Sequence, residues 1–175
     1  AGADAVKFQT FKAESLTTGE APLADYQKRA IGGGSQAEML RRLELSEVDH
    51  RALRAHCRAA GIELMSTPFD ETSVDLLEAL DVVRHKIPSG EITHRALIEK
   101  IARTGKPLIL STGMSTLAEV GRALGWIRAV SKAPVTILHC VTEYPAPVAQ
   151  SNLRAMAALR EAFGLPVGWS DHTAG

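Results

Sequence analysis

The chain has 175 residues, 45% of them hydrophobic, which suits one domain with a sizeable core and excludes compositional disorder. Its 20 Lys and Arg balance 20 Asp and Glu, so no single-signed field marks a nucleic-acid partner, and small molecules are the default ligand class. No apolar run approaches a membrane span, and the two cysteines, Cys57 in a helical pattern and Cys140 at a strand end, do not suggest a disulfide framework, so a cytoplasmic setting is expected.

The first residues, AGADAVKFQT, lack an initiator Met and the regions of a signal peptide, and run at once into a predicted strand, AVKFQTF at 5–11. The expectation is a piece of a longer chain. Residues 12–40 then read as an insertion, a long loop around Pro22 and the run Gly32, Gly33, Gly34, followed by a short helix from Ser35. SEVDHRALRAHCRAAG begins with an N-cap at Ser46, has an acidic first turn and stops at Gly61, so it reads as a helix. IELMSTPF at 62–69 is the second strand, and a shorter helix is predicted over Ser73 to Leu80. VVRHKIPSG at 82–90 is the third strand, and Thr93 to Thr104 is a helix stopped by Gly105. PLILSTG at 107–113 is the fourth strand, and Thr116 with Glu119 forms a capping-box pattern ahead of VGRALGWIRAV. PVTILHCVT at 134–142, a helix over Asn152 to Phe163 stopped by Gly164, and PVGWSD at 166–171 complete the series.

Strands that alternate with helices make a parallel sheet, because each parallel connection needs a crossover. After the first, longer gap, the strand ends at Lys7, Ser66, Ser89, Ser111, Cys140 and Ser170 lie about one βα unit apart. The fold class is therefore α/β, a (β/α)8 TIM barrel represented by about six βα units. A doubly wound sheet is the other architecture, but no G-x-G-x-x-G follows any strand, and polar residues mark every strand end rather than one switch point.

In a barrel all strand C-termini face one mouth. Here they carry Lys7 and Gln9; Ser66 and Thr67; Lys86, Ser89 and Glu91; Ser111, Thr112 and Gly113; His139, Thr142, Glu143 and Tyr144; Ser170, Asp171 and His172. Hydroxyls and two lysines around one mouth suit a phosphate, whose oxygens accept from hydroxyls and whose charge an ammonium balances. Glu91 and His172 add an acid, a base or a metal ligand. Plainer readings stand beside these. A Ser or Thr after a strand is usually turn chemistry or an N-cap, Asp171 reads as a cap, Tyr144 as packing, and His139 as a satisfied interior histidine. His50, His56, His85 and His94 read as surface groups, and Met65 and Met114 as core. Lys86 inside an apolar strand resists a plain reading, since lysines are rarely buried unpaired.

The strings GADAVKFQTF, MSTPFD, KIPSGE, LILSTGM, LHCVTEYPAP and VGWSDHT, in this order and spacing, resemble the sialic acid synthase family, which includes N-acetylneuraminate synthase and its legionaminate and pseudaminate relatives. The resemblance spans essentially the whole chain; the six motifs together are specific, each alone is weak. It implies a metal-requiring enzyme that condenses phosphoenolpyruvate with N-acetylmannosamine, or a related N-acetylated hexosamine, to a nine-carbon 2-keto acid and phosphate. It implies catalytic roles for Glu91 and Lys86. Phosphoenolpyruvate would be held by Thr67, Lys86, Ser89, Ser111, Thr142 and Ser170, with positive charge from Lys7. Gln9 and Tyr144 would line the sugar pocket, and His172 would be one of two histidines on a divalent metal, Mn2+ by preference, with Mg2+ or Co2+ as substitutes. Thr142 departs from some members, which carry Asn there. The resemblance further implies residues 1–175 as a single partial barrel domain covering strands two to seven. The first strand, the eighth strand with its metal histidine, and a C-terminal antifreeze-like domain would lie outside it, in a protein that forms homodimers. A Schiff-base aldolase using Lys86 and an inactive barrel fragment are the other readings.

Overall fold

The computed structural model describes residues 2–19, 21–24, 27–28 and 33–174. Two compact units divide the chain, Ala1–Val82 and Val83–Gly175.

In the first unit, strand β1 (Ala5–Thr10) leads to α1 (Ala13–Leu16), a single helical turn inside the segment expected to be loop. Gly32 of the expected glycine turn lies outside the described residues. Helix α2 (Gln36–Leu43) starts where the sequence placed it. Ser35 Oγ accepts the Glu38 amide while the Glu38 carboxylate accepts the Ser35 amide, so two otherwise orphaned donors are satisfied reciprocally. Helix α3 (Glu47–Ala60) repeats the device with Ser46 and Asp49 and ends at Gly61, whose φ of 67° an L side chain rarely adopts. Strand β2 (Glu63–Pro68) pairs in parallel with β1, with Lys7 opposite Met65 and Gln9 opposite Thr67. Helix α4 (Glu71–Ala79) begins earlier than Ser73. The Asp70 carboxylate accepts the Ser73 amide at 2.6 Å, so Asp70 is the cap and Ser73 lies inside the first turn.

Cys57, Leu64, Leu77, Leu80 and Val82 form the core of this unit, with Val6, Phe8, Leu53, Ile62 and Leu76 against it. His50, expected on the surface, is buried on the same helix face as Leu53 and Cys57. Its Nδ1–H donates to the Ser46 carbonyl at 2.8 Å, so its Nε2 accepts from the Thr10 hydroxyl at 2.8 Å. Thr10 Oγ1 in turn accepts from Ser66 Oγ at 2.7 Å. An imidazole with both nitrogens bonded is tolerated inside; an unbonded one would carry a desolvation cost of about 1–3 kcal/mol.

In the second unit, β3 (His85–Ile87), β4 (Leu108–Ser111), β5 (Val135–Cys140) and β6 (Val167–Ser170) form one parallel sheet in the order β3-β4-β5-β6. The order follows the chain and never reverses, so this sheet has no switch point of the doubly wound kind. β3 is shorter than predicted: Val82 belongs to the core of the first unit, and Val83 is exposed. Helices α5 (Arg95–Arg103), α6 (Leu117–Val130) and α7 (Ala155–Phe163) follow β3, β4 and β5. α6 has the predicted Thr116–Glu119 capping box, and α7 ends at Gly164 as predicted. α5 and α7 start later than the sequence suggested. A 3-10 turn over Ser89–Glu91 precedes α5, and Asn152 has a left-handed φ of 42° that helical propagation cannot use. Leu97, Ile98, Ile101, Leu110, Leu124, Ile127 and Ile137 are fully buried, each stabilising by about 1.5–3 kcal/mol relative to exposure. His85, also expected on the surface, is buried. Met65 is core as expected, whereas Met114 stands 77% exposed with φ 60° in the loop after β4.

The repeating βα order, parallel throughout, is that of a (β/α)8 barrel, of which the described residues supply six strands.

Candidate functional site

The second unit joins its four strand ends by direct contacts. Lys86, on β3, is buried; its ammonium donates to the Ile87 carbonyl at 3.2 Å and to the Ser111 hydroxyl at the end of β4. Ser89, in the 3-10 turn, accepts the Gly113 amide at 2.8 Å and meets Cys140 Sγ at 3.3 Å. Gly113 sits in a cradle too close for any side chain. A Cβ there would lie 2.2 Å from Thr142 Oγ1, 2.9 Å from Cys140 Sγ and 3.0 Å from Ser89 Oγ. The Thr142 hydroxyl is buried and, among the described residues, has no hydrogen-bond partner. A buried hydroxyl without a partner is costly unless a ligand or water completes it.

At the other end of the row, β6 and the loop after β5 fix His172. Its Nδ1–H donates to the Val141 carbonyl at 2.5 Å, its own carbonyl accepts the Ala146 amide at 2.7 Å, and the Tyr144 ring lies against it with centroids 4.4 Å apart. With the proton on Nδ1, Nε2 is left as the lone-pair nitrogen, and it lies 3.3 Å from Ser170 Oγ. This is how a metal-binding imidazole is usually prepared, its second nitrogen held by a carbonyl. Among the described residues no group of three or more His, Cys, Asp and Glu could hold a metal ion, so His172 fits a metal as a single imidazole ligand. Tyr144, read as packing, is exposed on its other side. Asp171 accepts the Thr173 amide at 2.9 Å, a local turn rather than a helix cap, and that bond holds its carboxyl below the usual range.

Lys86, Ser89, Ser111, Thr142, Tyr144, Ser170 and His172 are thus linked by contacts between neighbouring strand ends. Glu91 is held separately, its carboxylate accepting His94 Nδ1–H at 2.8 Å. His139 donates from Nε2 to the Ser151 carbonyl at 2.9 Å and lies against Trp169, as expected of a satisfied histidine. Two participants escaped the sequence reading. Cys140 was read for its redox setting and as a strand end, not as a site residue, and His94 was assigned to the surface. His94 is exposed, as expected, but committed to Glu91. Its signal was its place three residues after a candidate acid.

In the first unit Lys7 and Gln9 are exposed on one face of β1, and Thr67 is buried opposite Gln9. Although Lys7 is exposed as a residue, desolvation of its ammonium by the surrounding protein lowers its pKa from the ordinary lysine value.

Residues 1–175 match the model of the NeuB family. The chain is 47% identical to an N,N'-diacetyllegionaminic acid synthase of Campylobacter jejuni, with 99% of this chain and 53% of that protein covered. It is 48% identical to one of Legionella pneumophila, covering 99% of this chain and 50% of that protein. Among solved structures, an N-acetylneuraminic acid (sialic acid) synthetase from Leptospira borgpetersenii in complex with citrate superposes with a TM-score of 0.83 at 28% identity, covering 99% of this chain and 56% of that one. The chain spans about half the length of the curated relatives it matches.

Proposed function

Because the chain belongs to the NeuB family, we propose that its protein condenses phosphoenolpyruvate with an N-acetylated amino sugar, giving a nine-carbon 2-keto sugar acid and phosphate. The observation that carries this reading is the cradle around Gly113. There a partnerless buried hydroxyl, Thr142, stands beside Ser89, on the strand ends that hold the buried Lys86 ammonium and Ser111. Such a set of donors suits the phosphate of the substrate, with Lys86 balancing charge and the hydroxyls giving direction. Tyr144 would serve the sugar.

In the reaction, carbon 3 of phosphoenolpyruvate forms a bond to the aldehyde carbon of the open-chain sugar, whose oxygen takes up a proton. Water adds at carbon 2 and loses a proton. The carbon–oxygen bond to phosphate then breaks, phosphate leaves with the electron pair, and the new hydroxyl at carbon 2 gives up its proton to the departing phosphate and becomes the keto oxygen. Glu91 would orient or deprotonate the water. Ser89, Ser111, Ser170 and Lys86 would hold the phosphate as it gains charge. His172 would supply an imidazole to a divalent cation, Mn2+ by preference. When bound, that cation would act as a Lewis acid on the acceptor's carbonyl.

The sequence reading put N-acetylmannosamine first. The names of the two legionaminate relatives favour instead an acceptor with two acetamido groups, since a doubly N-acetylated product needs both on its precursor. The test is phosphate release by the protein as its gene encodes it, dialysed against chelator and then given phosphoenolpyruvate and each sugar, with and without Mn2+. Release is expected only with sugar and metal together, and fastest with the diacetamido sugar. Release without sugar, or silence with every amino sugar, would overturn the reading. Lys86→Met is expected to raise the KM for phosphoenolpyruvate at least about tenfold, a loss of roughly 1.4 kcal/mol, with little effect on the sugar. A weaker sugar KM alone would sink the assignment of Lys86.

A further inference from the structure

We propose that His94 is a positioning residue that fixes the orientation of the Glu91 carboxylate; this rests on the reading of Glu91 given above. Backbone bonds fix the main chain around Glu91. Its amide donates to the Pro88 carbonyl at 3.1 Å, the Ile92 amide to Ser89 at 3.3 Å, and the His94 amide to the Glu91 carbonyl at 2.9 Å. A fixed main chain still leaves a glutamate several side-chain torsions, and a broad terminal one. His94 removes that freedom. Its Nδ1 lies 2.8 Å from Glu91 Oε2, and because an ionised carboxylate only accepts, Nδ1 carries the proton. Oε1 is then the oxygen left for a water.

Three observations separate this contact from an ordinary surface pair, which is worth little. The Glu91 side chain is only 19% exposed while His94 is 46% exposed, so the carboxylate is the inner partner and the ring its outer support. His94 also occupies the N-cap of α5, with φ −86° and ψ 80°, yet its side chain makes no cap bond. A position that usually helps satisfy a helix amide spends its side chain on Glu91 instead. Finally, the adjacent Arg95 donates to Glu99 at 2.6 Å, directing that cation along the helix rather than toward Glu91.

The experiment uses His94→Ala, His94→Asn and His94→Gln in the protein as encoded, with phosphoenolpyruvate varied at saturating sugar and metal. An Asn amide can stand where Nδ1 stands, and a Gln amide reaches the place of Nε2. His94→Ala is expected to lower kcat about tenfold, less than the roughly 10²–10⁴-fold that a general acid–base group itself supplies, because Glu91 is kept and only its orientation is lost, with the KM for phosphoenolpyruvate nearly unchanged. His94→Asn is expected to recover most of the loss and His94→Gln little. Unchanged kcat in His94→Ala, or equal recovery by Asn and Gln, would overturn the proposal. A second readout needs no turnover. Proton–nitrogen correlation spectra should show the Nδ1–H tautomer of His94 in the wild type and its loss in Glu91→Ala; the same tautomer in both overturns the pairing. A wild type that releases no phosphate with any amino sugar would refute the proposed function, and the tautomer arm would still decide the pairing.

Discussion

Gly113 is where one methyl group should tell most. Its absent Cβ would stand 2.2 Å from Thr142 Oγ1, so Gly113→Ala must push the Thr142 hydroxyl out of the cradle. Overpacking of this kind costs about 1–3 kcal/mol. Gly113→Ala is therefore expected to raise the KM for phosphoenolpyruvate about tenfold and to lower the melting temperature by a few degrees; a titration and a thermal melt measure the two. A normal KM with a lowered melting temperature would leave Gly113 as a packing position only. At this scale the sequence was partly legible. Lys86 announced itself, because a lysine within VVRHKI has no plain explanation and proved buried against Ser111. His50 could have been placed inside from its spacing to Leu53 and Cys57 on one helix face. What hid it is the chemistry of imidazole, which suits water or a core equally until both nitrogens have partners. Met114 misled for a different reason: it follows an apolar strand, but a backbone with φ 60° turns it out to solvent. The cradle itself was not legible, since the three atoms that converge on a glycine after β4 come from the ends of two other strands, β3 and β5.

Helix starts decide the element boundaries, and Asp70 shows how. Burial alone would raise its carboxyl pKa. Hydrogen bonds from the Ser73 amide, the Thr72 hydroxyl and the Lys12 amide outweigh that and hold it below the usual value. A carboxyl lowered by folding stabilises the protein above its unfolded pKa, near 3.9, and loses that contribution as pH falls through the lower folded value. Asp70→Ala is expected to cost about 1 kcal/mol at neutral pH, and the gap between wild type and Asp70→Asn should close below about pH 4. Denaturant melts across pH check this; a gap that persists in acid would mean the carboxylate's charge plays no part. The Thr116–Glu119 capping box was readable because donor and acceptor are three residues apart, whereas Ser35 and Ser46 were read only as helix starts and their boxes with Glu38 and Asp49 came with the structure. Asp70 was missed because a serine inside the first turn looked like the start, and α7 because Asn152 was counted as helical when its backbone is left-handed.

For the molecule as a whole, the alternation of strands and helices was the most legible feature, because a parallel sheet forces a crossover between each pair. All six predicted strands occur, although β3 keeps only His85–Ile87. The short turn within the inserted segment, α1, had no periodic signal to reveal it. The ladder of the second unit has one more consequence. β4 pairs with β3, β5 with β4, and β6 with β5, so each strand's partner has already left the ribosome when it emerges. Pairing can thus keep pace with translation, and none of β4, β5 and β6 has to wait for its first partner. Chains stalled with β5 outside the exit tunnel are expected to protect β3 and β4 from protease before β6 is made. Protection that begins only after β6 emerges would show instead that this unit closes in a single late step.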